Sequence, residues 1–183
     1  TDPLSIRYNL EKALWLSQEE RKGPVWIDIP LDVQAAQINP DNLKGFQKNR
    51  NPPQSNKLCL AVEQTISLLN SSVRPVLLLG NGVRSSGAEK VLLDLVETLN
   101  IPTLTTWMGT DLLWEEHPLF FGKPGTVASR GANFIVQNSD CFISIGARLD
   151  AAVIGFDKTR FARQAKKIII DIDHHEIDKL NIP

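Results

Sequence analysis

Pro75-Val76-Leu77-Leu78-Leu79-Gly80-Asn81-Gly82 is the stretch that decides the fold. Its first five residues are apolar without interruption, too few for a helix, and two glycines close the run. A short apolar run bounded by turn residues reads as a strand, and unbroken apolarity in place of alternation means that both of its faces are covered. The turn opens onto Ala88, Val91, Leu92, Leu95, Val96 and Leu99, whose spacing predicts an amphipathic helix over 85–99. Strand, tight turn and helix form the first half of a parallel crossover unit.

Outward from this unit the pattern repeats. Asn100-Ile101-Pro102 ends the helix, and Thr103–Thr106 reads as the next strand. An irregular stretch from Trp107 to Pro124 leads to a helix marked by Val127, Ala128, Gly131, Ala132, Ile135 and Val136. Cys141–Ile145 is a strand ended by Gly146, and Lys167–Asp173 is another with acids at its end. Upstream, Leu58, Val62, Ile66 and Leu69 mark a helix. Strands alternating with helices predict an α/β domain with a doubly wound, mostly parallel Rossmann-like sheet and helices on both faces. Residues 39–56 are rich in Asn and Pro without periodicity and read as a linker. Before it, Ile6, Leu10, Ala13 and Leu14 predict a helix, and Val25–Ile29 a strand closed by Pro30. The expected organisation is a helix-plus-strand segment over 1–38, a linker over 39–56 and the Rossmann-like domain over 57–183.

Composition narrows the function. The chain has 183 residues, of which 42% are hydrophobic, enough to bury a core. Twenty Lys and Arg stand against 21 Asp and Glu, so no basic field is present for a nucleic-acid backbone or an anionic membrane, and neither is expected as a partner. No apolar run approaches the ~20 residues of a membrane span, and the expected location is cytoplasmic. Cys59 and Cys141 sit in apolar segments and read as two buried, reduced thiols. The chain begins Thr1-Asp2-Pro3 and its one methionine is Met108, so a piece of a longer polypeptide is expected.

In an open parallel sheet, ligands bind beyond the carboxyl ends of the strands, near the point where strand order reverses. Gly80-Asn81-Gly82-Val83-Arg84-Ser85 departs from the dinucleotide fingerprint because Ser85 occupies the third glycine position, and no acid follows the second strand. A phosphate cradle and a plain tight turn both remain open for these glycines. Met108-Gly109, Gly146-Ala147-Arg148-Leu149-Asp150 and Asp171-Ile172-Asp173 follow the other strands. Arg148 suits a pyrophosphate, and the acids suit ribose or adenine. No nucleophile lies beside an evident base and no metal-ligand spacing occurs, so binding rather than catalysis is expected, with no catalytic or metal-ligating residue in this chain.

With these segments in order, residues 57–183 resemble the central domain of thiamine-diphosphate-dependent enzymes, in particular the acetolactate synthase (acetohydroxyacid synthase) branch. Pro75–Gly82 carries the resemblance, with Thr106-Trp107-Met108-Gly109, which is similar to a T-x-M-G turn. Gly122-Lys123-Pro124-Gly125-Thr126 with Ala132-Asn133 resembles GMHGT…AN, and Gly146–Asp150 resembles G-x-R-F-D. Ile170–Asp173 with Glu176-Ile177 completes the series. Residues 1–38 resemble the end of the preceding pyrimidine-binding domain, and the central domain of the family continues beyond Pro183.

The resemblance implies a thiamine-diphosphate-dependent enzyme that decarboxylates a 2-oxo acid and transfers the acyl unit, with thiamine diphosphate and Mg2+ held by flanking domains. This segment would space those domains, make subunit contacts in a homo-dimer or homo-tetramer, and be inactive alone. It also implies FAD, at positions matching Gly80, Gly82, Met108, Gly109, Gly122, Gly146, Arg148, Asp150, Asp171 and Asp173. Two departures bear on the flavin: Lys123-Pro124 stands for Met-His, and Ala151-Ala152 for the Asp-Arg that follows the equivalent of Asp150. FAD, an empty domain and another adenine nucleotide remain open, as do a simple 2-oxo-acid decarboxylase and a non-catalytic nucleotide-binding or oligomerisation module.

Overall fold

A computed structural model describes residues 2–19, 21–48 and 55–180. The chain divides into two compact units, Thr1–Pro53 and Gln54–Pro183. In the first, a 3-10 turn over Pro3–Ser5, capped by Asp2, leads into α1 (Ile6–Gln18), and α2 spans Leu31–Gln34. Residues 39–48 of the Asn- and Pro-rich stretch pack inside this unit. The Phe46 amide donates to Glu11 Oε2 at 2.7 Å, and the Phe46 ring rests on Tyr8 and Trp15. Lys48 pairs with Glu19. Residues 49–54 of the expected linker lie outside the described residues. Val25–Ile29 is not a strand: it joins no ladder among the described residues, and Trp26 within it is 89% exposed. A strand exists only through partners for its backbone N–H and C=O groups, and apolar residues without such partners stay irregular.

The second unit opens with α3 (Ser55–Asn70) and β1 (Pro75–Leu79), followed by the short α4 (Gly82–Ser85) and by α5 (Glu89–Leu99). The helix expected over 85–99 is thus interrupted and begins later, because Gly87 takes φ +69° and breaks the helical run. Next come β2 (Thr103–Thr105), a 3-10 stretch over Trp107–Leu112, α6 (Arg130–Asn138) and β3 (Cys141–Ile145). The α6 helix starts three residues later than its apolar pattern, at the point where Ser129 accepts from the Ala132 amide. The chain finishes with α7 (Ala151–Ile154), β4 (Lys166–Ile170) and α8 (His174–Asp178).

The four strands are parallel in the order β2-β1-β3-β4. Strand order reverses between β1 and β3, which marks the switch point of a doubly wound sheet. Side chains alternate between the faces. Val76, Leu78, Leu104 and Phe142 pack with Ala132 and Val136 of α6 and with Ile154 of α7. Leu77, Leu79, Cys141 and Ile143 pack with Leu92 and Val96 of α5 and Leu69 of α3. Both faces are covered, which accounts for the unbroken apolarity of β1 and β3. Cys141 is buried, but Cys59 is exposed on α3, contrary to the expectation of two buried thiols. Its apolar neighbours in sequence, Leu58 and Leu60, are exposed as well. Among the described residues no helix is long and apolar enough to cross a membrane.

Candidate functional site

Parallel strands bring all four carboxyl ends to one edge of the sheet. Gly80-Asn81-Gly82, Thr106–Gly109, Gly146–Asp150 and Asp171–Asp173 therefore share that edge, and the first and third groups flank the switch point. The Thr106 amide donates to Leu79 O at 2.8 Å and the Gly146 amide to Ile170 O at 2.8 Å, so each post-strand segment is anchored on its neighbour.

The glycines at the switch point are required by one another. A Cβ on Gly80 would lie 2.2 Å from Gly146 O, and one on Gly82 would lie 2.7 Å from Gly146 Cα. Gly146 itself holds φ +58°, the left-handed region that costs a side-chain-bearing residue most. The Gly80 amide donates to Ile145 O at 2.9 Å and the Gly82 amide to Gly146 O at 2.9 Å. These N–H groups are thus committed to backbone carbonyls. Gly109 is buried, and a Cβ there would lie 3.2 Å from Leu79 O, whereas Met108 beside it is 74% exposed.

The acids serve the backbone. Asp150 Oδ1 accepts from the Ala152 and Val153 amides and caps α7. Asp171 Oδ1 accepts from the Asp173 amide at 3.0 Å, and Asp173 Oδ1 from the His175 amide at 2.9 Å, capping α8. Among the described residues no group of three or more His, Cys, Asp and Glu is placed to hold a metal ion. Arg148 brings a cation to this edge; its side chain is 55% exposed, with Nε 3.3 Å from Glu176 Oε1.

Gly122 lies in a strap across the same edge. The Thr105 amide donates to Gly122 O at 3.1 Å, and the Thr126 amide donates to Ala152 O at 2.8 Å. Residues 122–126 thereby run from the end of β2 to the segment that follows β3. Asn133 on α6 fixes the strap from both sides of one residue, accepting from the Gly125 amide and donating to Gly125 O, each at 2.9 Å. Arg84 joins two of the loops. Arg84 Nη2 meets Asp111 Oδ1 at 2.8 Å, and Arg84 Nη1 donates to Asn81 Oδ1 at 3.1 Å. The hydrogen bond from Arg84, aided by a backbone N–H, holds the Asp111 carboxyl below the usual carboxylate range.

The structure thus brings nine of the ten sequence-derived residues to the strand ends and places the tenth, Gly122, in the strap. Glu176, Asn133 and Arg84 act at this edge without having been expected as site residues. For Asn133 and Glu176 the available signal was their place in the A-N and D-I-D…E segments.

Residues 62–183 match the family described as thiamine pyrophosphate enzyme, central domain. The chain belongs to that family. It is 40% identical over 91% of its length to a probable acetolactate synthase large subunit of Methanococcus aeolicus, and 38% identical over 97% to another of Methanocaldococcus jannaschii. It is also 34% identical over 95% of its length to the acetolactate synthase isozyme 1 large subunit of Escherichia coli. The chain spans 28%, 30% and 30% of the length of these three relatives. For a thiamine pyrophosphate enzyme central domain, the residues at the carboxyl edge suit a dinucleotide in their donor chemistry. Arg148 supplies a cation for a diphosphate, Asp171 is a half-buried acceptor, and Trp107 and Met108 expose apolar surface for a flat ring. The amides of Gly80, Gly82, Gly109 and Gly146 are spent on backbone carbonyls and do not serve such a ligand. Pro124, buried in the strap, has no amide to offer.

Proposed function

We propose that these residues form the central, domain-spacing segment of a thiamine-diphosphate-dependent enzyme of acetolactate synthase type, which decarboxylates a 2-oxo acid such as pyruvate and transfers the acyl unit to a second 2-oxo acid. The observation that carries this reading is similarity at 34–40% identity, over nine-tenths or more of the chain, to three proteins named as acetolactate synthase large subunits or probable ones. It does not favour a simple decarboxylase or a non-catalytic module. In this reading thiamine diphosphate and Mg2+ are bound by segments outside residues 1–183, and residues 1–38 end the preceding pyrimidine-binding domain. The whole protein is a cytoplasmic homo-oligomer to which this segment contributes subunit contacts.

The finer proposal is that the carboxyl edge holds FAD as a structural cofactor. Arg148 would face the diphosphate, Asp171 a ribose or adenine donor, and Trp107 and Met108 a ring. A bound flavin supplies a flat ring system and a diphosphate; the chain supplies the cation, the acceptors and the strap that closes the edge. Two measurements on the whole protein test these statements. With thiamine diphosphate, Mg2+ and pyruvate, acetolactate is the expected product, and 2-oxobutyrate gives the mixed acyl product; acetaldehyde alone sinks the ligase reading. A yellow protein, or a colourless one that takes up added FAD with quenching of flavin fluorescence, is expected for the cofactor; failure to take it up removes FAD.

A further inference from the structure

Arg148 lies two residues beyond Gly146, on the loop before α7, with more than half of its side chain in solvent. A long side chain in that setting samples many rotamers, and a phosphate that binds it must first immobilise it. Glu176 removes that freedom. Its side chain is only 14% exposed; Oε1 lies 3.3 Å from Arg148 Nε, and Oε2 pairs with Lys179 Nζ.

Local sequence would give Glu176 a different task. Asp173 caps α8 and Glu176 is its third residue, the spacing at which a glutamate folds back onto the amide of the capping residue. Here the Asp173 amide donates to Asp171 Oδ1 at 3.0 Å instead. Asp171 takes over the capping-box role, and Glu176 reaches the loop after β3. Charge supports the same assignment. Glu176 is shared between two cations, Arg148 and Lys179, so its own charge is balanced without taking up the whole guanidinium of Arg148.

We propose that Glu176 is the positioning residue of a diphosphate subsite at the carboxyl edge: it holds Arg148 through Nε and leaves the two terminal nitrogens of the guanidinium to take phosphate oxygens as a fork. This rests on the dinucleotide reading of the edge given above. Glu176 itself touches no ligand and acts through Arg148.

The test titrates the whole protein with FAD, ADP and riboflavin, which carry a diphosphate, a diphosphate and no phosphate. The wild-type protein is expected to bind FAD and ADP, and riboflavin with weaker affinity. Arg148→Gln should weaken FAD and ADP by about 10- to 100-fold, the loss of a charge-assisted pair. Glu176→Gln should weaken both by about 2- to 10-fold, the effect of releasing one pre-ordered side chain, and leave riboflavin unchanged. The exchanged pair Arg148→Glu with Glu176→Arg keeps the tether between α8 and the β3 loop but moves the cation. It should recover thermal stability lost in the single variants without recovering ADP affinity. Wild-type affinity for ADP in Glu176→Gln overturns the proposal and leaves the dinucleotide reading standing. Equal losses for ADP and riboflavin overturn it too, since they report a role in folding. A wild-type protein that binds neither FAD nor ADP overturns the dinucleotide reading and the subsite with it.

Discussion

Gly80 and Gly146 lie in different loops, and the reason for each is the other. Alanine at 80 places its Cβ 2.2 Å from a backbone oxygen, with no flexible side chain to yield, so the switch point must open. Gly80→Ala is expected to destabilise by about 1–3 kcal/mol, the cost of overpacking. Gly146→Ala adds left-handed backbone strain of about 1–2 kcal/mol. Gly131 supplies the contrast, because it sits in α6 and a Cβ added there would meet nothing within 4 Å. Gly131→Ala should stabilise by about 0.5–1 kcal/mol. Urea midpoints at constant m value check all three, and a harmless Gly80→Ala would refute the close-packed junction. The two thiols also separate at this scale. Cys59 is exposed, whereas burial pushes the Cys141 thiol up. An aromatic disulfide reagent at pH 8 should titrate one thiol per native chain quickly and the second only in denaturant; two fast thiols would contradict the burial of Cys141.

Elements differ in how far their own residues announce them. β3 is legible to the residue, since Cys141–Ile145 is apolar and Gly146 ends it. Val25–Ile29 looks equally strand-like and is not one among the described residues, because pairing is supplied from elsewhere and no periodicity records it. The break at Gly87 was visible as a residue but not as a conformation. The site shows the same division. Its location at the strand ends follows from alternation of strand and helix, but the partner of Gly80 lies far along the chain, so glycine spacing alone does not distinguish a phosphate cradle from a loop-to-loop junction. Asp140 shows an element joined to another by one side chain. Its two oxygens accept the Val73 and Arg74 amides at 2.8 Å each, tying the entry to β1 to the entry to β3. These bonds, that of Val73 foremost, hold the Asp140 carboxyl below its ordinary range. A depressed folded-state pKa contributes stability that is full above the unfolded value, about 3.9, and is lost as pH falls through the folded one. Asp140→Asn should therefore lower stability at neutral pH and flatten its decline below about pH 4. Urea denaturation at several pH values reads both effects, and a variant whose acid profile parallels the wild type would show that Asp140 is not the link.

At the scale of the molecule, burial is divided unevenly between the two units. The sheet unit has two hydrophobic clusters, one on each face, with Phe142 set edge-on to Phe161 at 5.0 Å. In Thr1–Pro53 the buried hydrophobic residues among those described are Ala13 and Leu43 alone. α1 leaves Leu10, Leu14 and Leu16 exposed. A segment of about fifty residues with so little buried area cannot offset its conformational entropy by hydrophobic burial, and its surface ion pairs, Arg7–Glu11 among them, are screened by solvent and add little. The two units should therefore differ in local stability. In the 183-residue chain, amide exchange is expected to be fast throughout α1, with protection close to that of a fraying helix. The amides of β1 and β3, buried between two helical layers, should exchange only through global opening of the sheet unit. Phe142→Ala, which empties a fully buried site, should cost about 3–5 kcal/mol. It should raise exchange in β1 and β3 by the corresponding factor and leave α1 unchanged. Hydrogen exchange followed by mass spectrometry resolves the two behaviours in one experiment. Protection in α1 that equals that of β3 and falls with Phe142→Ala would mean that the chain opens as a single cooperative body, and that burial within Thr1–Pro53 does not set the stability of that unit.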